Sequence, residues 1–198
     1  MDRQETTRLL RQARDGEADA LDALYQRVAG KLLALIRLRL GRTLRSQLES
    51  RDILQATLLK SFEHFHQFEQ SDSPSLMAWL ARIAENEILD RADYHSRQRR
   101  DARLEVPLET AHADIAASLR SALTQVLFEE RAERLEEAME SLEPHYREVI
   151  VLRSYEELSF PEIGARLGKS EDACRMLFAR AMAALTMRMA EHAAGPGA

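Results

Sequence analysis

The stretch Ser159-Phe160-Pro161-Glu162-Ile163-Gly164-Ala165-Arg166-Leu167-Gly168-Lys169-Ser170-Glu171-Asp172-Ala173-Cys174-Arg175 carries the most specific local signal in the chain. Ser159 with Glu162 makes a capping box, in which a hydroxyl and a carboxylate satisfy each other's backbone amides at a helix start. Pro161 fits the first turn, where its missing N–H would have no partner in any case. Ile163 and Leu167 point one way, at i and i+4. Gly168 supplies a sharp stop, because a reversal there needs positive φ. Ser170 caps a second helix, with Glu171 and Asp172 favourable in its first turn. Cys174, Phe178, Ala181 and Leu185 form the buried stripe of that helix, so Cys174 reads as a small core residue. Gly164 is small where two helices must approach closely. This is the layout of a helix-turn-helix, whose second helix enters the major groove of DNA; an ordinary helical hairpin in a core has the same spacing. The outward positions Ser170, Arg175, Met176, Ala179 and Arg180 are the candidate DNA-facing set. The two arginines suit phosphates or guanine, and Met and Ala offer apolar contact.

The helical period continues outward along the chain. Leu21, Leu24, Tyr25, Val28, Leu32, Leu35 and Ile36 form one stripe, Leu54, Leu58, Phe62 and Phe65 another, and Leu76, Leu80, Ile83, Ala84 and Ile88 a third. It returns through Leu123, Leu127, Leu135, Met139 and Leu142 before a turn at Pro144. No period-two alternation and no Asn-Gly or Asp-Gly hairpin signal appears. The fold class is all-α. Ser71-Asp72-Ser73-Pro74-Ser75 reads as a loop, and Ser50 as a helix cap before Asp52. The unpatterned segment around Val106-Pro107 reads as a flexible linker. The expectation is two small helical domains, 1–100 and 123–192, joined by a linker at 101–122 and followed by a disordered tail at 193–198.

Composition bounds the function. The 198 residues include 28 Lys+Arg, 33 Asp+Glu and one Cys, with a net charge of −5. One cysteine makes neither an internal disulfide nor a Cys-rich zinc site. His64 and His66 lie close together but read as surface, so no metal and no cofactor is expected. There is no Gly-rich phosphate loop and no nucleophile with a base, which argues against an enzyme. No apolar run approaches the roughly 18 residues of a membrane span, and the charged start Met1 to Glu5 does not resemble a signal peptide. The expected location is cytoplasmic, without membrane insertion. Charge is uneven: residues 1–100 hold 17 basic and 15 acidic residues, and residues 101–198 hold 11 and 18. Lys31, Arg37, Arg39, Arg42, Arg45, Arg51 and Lys60 make one basic cluster, and Arg91, Arg97, Arg99, Arg100 and Arg103 a second. Glu129, Glu130, Glu133, Glu136, Glu137, Glu140 and Glu143 make an acidic connector. Together they suggest an electropositive groove beside a neutral module.

Three blocks then resemble a known family. Leu142-Glu143-Pro144, Arg147-Glu148-Val149-Ile150, Leu152-Arg153, Glu162-Ile163, Leu167-Gly168, Ser170 and Arg180-Ala181 resemble the fourth conserved region of bacterial RNA polymerase sigma factors of the extracytoplasmic-function group. Asp52-Ile53-Leu54-Gln55 followed by Phe62 resembles the second region. Trp79-Leu80-Ala81-Arg82-Ile83-Ala84-Glu85-Asn86 followed by Asp90 is similar to the tryptophan-containing promoter-melting segment. The blocks span about residues 9–189 in the family's order.

The resemblance implies a first domain that holds the clamp coiled coil of core RNA polymerase's largest subunit and opens the −10 element. It implies a second domain that holds the flap tip and reads the −35 element. Asp52 and Gln55 match polymerase-contact positions, and Asn86 matches a position that touches melting −10 DNA. The loop from Phe68 through Ser71, Asp72 and Ser73 matches one that captures a flipped base, which needs a small polar pocket with an apolar wall. Arg97, Arg99 and Arg100 add cationic charge for that DNA, while Trp79 reads as core. An inhibitory anti-sigma protein is a further partner that the resemblance admits. Departures from the pattern are Arg51 beside Asp52, Asp93 after Asp90, Asp172-Ala173-Cys174 in the recognition helix, and Leu177 in a slot often basic. A stand-alone helix-turn-helix regulator and a non-DNA helical scaffold are the alternative functions; dependence of DNA binding on polymerase separates them.

Overall fold

The computed structural model describes residues 3–15, 17–69, 75–98 and 130–194, and all its regular elements are helical. In the first half these are α1 (Arg3–Arg14), α2 (Ala18–Arg45), α3 (Ser50–Glu63), α4 (Phe65–Glu69) and α5 (Leu76–Gln98). In the second half they are α6 (Glu130–Glu140), α7 (Pro144–Ile150), a π-helical turn (Val151–Tyr155), α8 (Phe160–Leu167) and α9 (Glu171–Ala194). The linker expected at 101–122 lies outside the described residues, as do Leu123, Leu127 and residues 195–198. Helix α9 continues to Ala194, past the point where the sequence pattern suggests a disordered tail.

The long α2 organises the molecule. Leu24, Val28, Leu32 and Ile36 recur at four-residue spacing and are fully buried. Against them lie Ile53, Leu54 and Leu58 of α3 and Met77, Leu80 and Ala84 of α5. Trp79 is buried as the sequence reading expects, its ring 5.4 Å from that of Phe68. Near its end α2 is broken at Gly41, with φ 58° and ψ 177°, a conformation that favours a residue without Cβ. The start of α3 departs from expectation. Glu49 is the cap, with no side-chain capping bond, and Ser50 is already the first helical residue.

In the second half the Arg147 guanidinium donates to the main-chain oxygens of Met139, Glu140 and Leu142, at 3.0, 2.5 and 3.3 Å. These carbonyls lie at and just beyond the end of α6, and the cation suits that end of the dipole. The helix-turn-helix forms as its sequence dictates. Ser159 N donates to Glu162 Oε2 at 2.6 Å and Glu162 N to Ser159 Oγ at 3.5 Å, completing the capping box. Gly168 ends α8 with φ 65° and ψ 37°, and Ser170 Oγ accepts from Ala173 N at 3.2 Å. Cys174, Ala181 and Leu185 are buried, with Phe178 partly so. Gly164 is needed for a different approach from the one expected. A Cβ there would lie 2.6 Å from the carbonyl oxygen of Lys169, so the crowding comes from the turn itself rather than the second helix.

The two halves are not apart. α2 packs on α1, α3 and α5 and also on α6 and the π-helical turn, and the buried apolar residues of both halves form one connected cluster. Gly164→Ala forces a Cβ against backbone and is expected to cost about 1–3 kcal/mol of unfolding free energy, as overpacking does. Gly168→Ala meets nothing within 4 Å, and its cost is the left-handed backbone alone, about 1–2 kcal/mol. Urea denaturation checks both; a Gly164→Ala protein as stable as wild type would show that the α8 turn relaxes freely.

Candidate nucleic-acid interface

On α5 the side chains of Asn86, Leu89, Asp90, Asp93 and Tyr94 are exposed, and Leu89 reaches 65% exposure. Leu89 lies three residues after Asn86, so the two share one exposed face of α5. Arg97 is the penultimate residue of α5. Ser71, Asp72, Ser73, Arg99 and Arg100 lie outside the described residues. Phe68 is buried, its ring 6.2 Å from that of Phe65 and 5.4 Å from that of Trp79.

Asp52 and Gln55 are exposed on the first turns of α3, as is Arg51. The start of α3 is tied to α5, because Arg91 Nη2 donates to the Asp52 main-chain oxygen at 3.3 Å. Arg91 also lies 3.9 Å from Glu87, a buried carboxylate that is paired with Lys60 of α3. Two cations around one buried anion thus fix the spacing of α3 and α5.

Ser170, which caps α9, and Arg175, Met176, Ala179 and Arg180 on it are all exposed. Arg175 is held in place: its Nη2 donates to Glu171 Oε1 at 2.5 Å, and its guanidinium sits 4.8 Å over the Phe160 ring. Arg180 has no ion-pair partner among the described residues. Leu177, the departure from the basic slot, is half-buried and packs on the core.

The α2 part of the electropositive groove suggested by the sequence is not left open among the described residues; Arg99, Arg100 and Arg103 of the second cluster lie outside them. Much of the α2 basic cluster is neutralised by the glutamates of the second half. Arg39 meets three carboxylates: Glu85 at 3.3 Å, Glu148 at 2.8 Å and Glu156 at 2.6 Å. Arg166 of α8 closes a ring by meeting Glu156 at 2.9 Å and Glu85 at 3.4 Å. Arg37 and Arg45 share Glu136 at 2.8 and 2.7 Å, and Arg45 also pairs with Glu140. Lys31 donates to Glu157 at 2.5 Å.

Burial pulls the Arg39 pKa down, but Glu148, Glu156 and Glu85 outweigh it and the net shift is upward. Burial raises the Glu136 carboxyl above its ordinary range, against the opposing pull of Arg37 and Arg45. Arg166 and Glu156 are 10 residues apart, but the cations of α2 and their partners are roughly 45 to 130 residues apart, beyond the reach of local spacing rules. The only sequence signal was the opposite charge of the two clusters. Among the described residues no His/Cys/Asp/Glu group could hold a metal, and no helix is long and apolar enough to cross a membrane.

Comparison with known proteins gives the family. Residues 24–100 match the family model "Sigma-70 region 2" and residues 132–185 match "Sigma-70, region 4". RNA polymerase sigma factor CarQ of Myxococcus xanthus is 32% identical over 169 residues, covering 82% of this chain and 85% of CarQ. ECF RNA polymerase sigma factor BldN of Streptomyces coelicolor is 29% identical over 185 residues, covering 93% and 66%. A solved structure of the sigma factor RpoE with the anti-sigma factor NepR from Bartonella quintana is similar at 20% identity, covering 83% of this chain and 93% of that one, with a TM-score of 0.48. With both regions matched in order, and a relative of this identity over most of both chains, the chain belongs to the sigma-70 family, in its extracytoplasmic-function group, and is a sigma factor that directs transcription initiation.

Proposed function

We propose that the chain works as a dissociable subunit with two readers. Residues 1–100 hold the clamp coiled coil of core RNA polymerase through Asp52 and Gln55 and open the −10 element. There Asn86 touches the melting strand, the loop at Ser71, Asp72 and Ser73 receives a flipped base, and Arg97, Arg99 and Arg100 neutralise phosphate. Residues 123–192 hold the flap tip and read the −35 element through Ser170, Arg175, Met176, Ala179 and Arg180. The subunit binds and positions rather than catalyses, and acts in the cytoplasm. An inhibitory anti-sigma protein belongs among its partners; the Bartonella quintana sigma factor was solved with one.

The observation that carries this reading is the helix-turn-helix, with its recognition helix exposed at every position chosen for DNA, downstream of a region 2 match. The test is in-vitro transcription with core polymerase and genomic fragments. The expected result is discrete starts that core alone does not give; no gain in promoter-specific transcripts defeats the reading.

Asn86→Ala is expected to impair opening more than polymerase binding. Permanganate footprinting should show less single-stranded thymine with core affinity kept. Lost affinity with normal opening per bound complex would reassign the residue to the polymerase side.

Arg175→Ala and Arg180→Ala are each expected to weaken −35 binding. A bidentate guanine contact is worth about 1–3 kcal/mol and acts at one promoter position. A phosphate contact weakens all promoters alike and lowers the salt slope by about one. Unchanged binding at every promoter and salt concentration would remove both residues from the interface.

A further inference from the structure

We propose that Phe160 is a positioning residue of the −35 interface: its ring is a fixed platform that holds the Arg175 guanidinium on the face of α9 where promoter DNA arrives. This rests on the −35 role given above to the exposed residues of α9. It adds to them a residue of α8 whose side chain carries neither charge nor hydrogen-bonding group.

Two arginines of one helix differ. Arg175 and Arg180 are both exposed on α9. The Arg180 side chain has no ion-pair or ring partner among the described residues. Arg175 has one of each: the Glu171 carboxylate four residues earlier, and the Phe160 ring 4.8 Å from its guanidinium carbon. The carboxylate alone fixes the head poorly. The Arg175 and Glu171 side chains are 57% and 44% exposed, and an i,i+4 pair so open to water is weak. The ring supplies what the carboxylate lacks. A guanidinium is flat, the face of an aromatic ring is negative, and a cation over that face is held in position as well as attracted. An arginine aimed in advance gives up less rotamer freedom when it meets its target than one that is free.

The platform has supports of its own. Phe160 is the first residue of α8, and the capping box of Ser159 and Glu162 fixes the backbone that carries it. Its ring packs on the core and meets the Phe178 ring at 5.9 Å and 63°, close to an edge-to-face contact. Phe178 lies three residues after Arg175, so α9 brings an aromatic and a cation to the ring from one side of the helix. A second guanidinium, that of Arg153 in the π-helical turn, also lies 4.8 Å from the Phe160 ring centre. Arg153 is itself anchored, since its Nη1 donates to the Leu158 main-chain oxygen at 2.7 Å. The ring therefore keeps its place without Arg175, and the dependence runs from Phe160 to Arg175.

The hold on Arg175 is read by NMR on the full chain without DNA. Protons over the face of an aromatic ring are shielded. Wild type and Phe160→Tyr should show the Arg175 δ-methylene protons displaced upfield. Phe160→Leu, which keeps an apolar side chain toward the core, should lose the displacement. Unshifted protons in wild type, or a shift that survives Phe160→Leu, overturn the proposal.

The consequence is read by titrating holoenzyme, made with core polymerase, against a promoter fragment recovered by the transcription assay above. Phe160→Leu should weaken binding roughly two- to tenfold, the cost of ordering one long side chain on binding. Phe160→Tyr should bind like wild type. A double-mutant cycle separates positioning from packing. In an Arg175→Ala background Phe160→Leu should add nothing, and in an Arg180→Ala background it should keep its full effect. An equal loss in both backgrounds shows that the ring only supports α8 against α9 and overturns the proposal. So does Phe160→Leu binding as tightly as wild type after the shift is lost. Failure of the underlying reading looks different: Arg175→Ala itself then binds like wild type, which removes Arg175 from the −35 interface and leaves Phe160 nothing to position there.

Discussion

Glu156 is the residue around which the rest is arranged. Its carboxylate has no solvent exposure, and an ion in that position costs several kcal/mol unless neighbouring cations replace the lost water. Arg39 and Arg166 do so from opposite sides, one from each half of the chain. Its main-chain oxygen accepts from Ser75, which at the same time caps α5 by accepting from Ala78 N at 3.0 Å. One residue thereby sets the register of α2 against α8 and fixes where α5 begins. Removing any partner would strand a charge, so these positions depend on one another more strongly than on apolar neighbours.

Charge and apolar surface divide the work. The connected apolar cluster holds the helices together without strong directional preference, since burial rewards area rather than angle. The ion pairs choose one arrangement among those the apolar surface would tolerate. The buried charged residues among those described, Glu87, Glu136 and Glu156, each meet two cations. Such pairs add little net stability, because desolvation offsets attraction, and their value is selectivity.

The recognition helix shows the complementary strategy. Among the described side chains of α9 only Cys174, Ala181 and Leu185 are buried, leaving most of its circumference open. The capping box, the left-handed Gly168 and the crowded Gly164 hold the entry to this helix, so its exposed face is positioned by its own turn. Arg175 is held over Phe160 by a carboxylate four residues earlier, so its head is ordered by its own helix and by the start of α8.

Much of this was legible in the sequence because its causes are local. Ser159 with Glu162, Pro161, Gly168 and Ser170 act within a few residues, and they form the turn the sequence predicts. The apolar stripes fixed which side of α2, α3 and α5 turns inward, Trp79 included, and the blocks around Asp52, Asn86 and Arg180 were enough to suggest the family. The same reasoning missed what depends on neighbours far along the chain. Ser50 is not the cap, and Gly164 accommodates a carbonyl rather than a helix. Above all, the basic cluster of α2 read as a groove open to nucleic acid. Local sequence shows where charges of each sign lie but not which meet. That pairing was decided only when folding brought Arg39, Glu85, Glu156 and Arg166 together, because the Coulomb term depends on separation in space and on exclusion of water, neither of which is written in residue order.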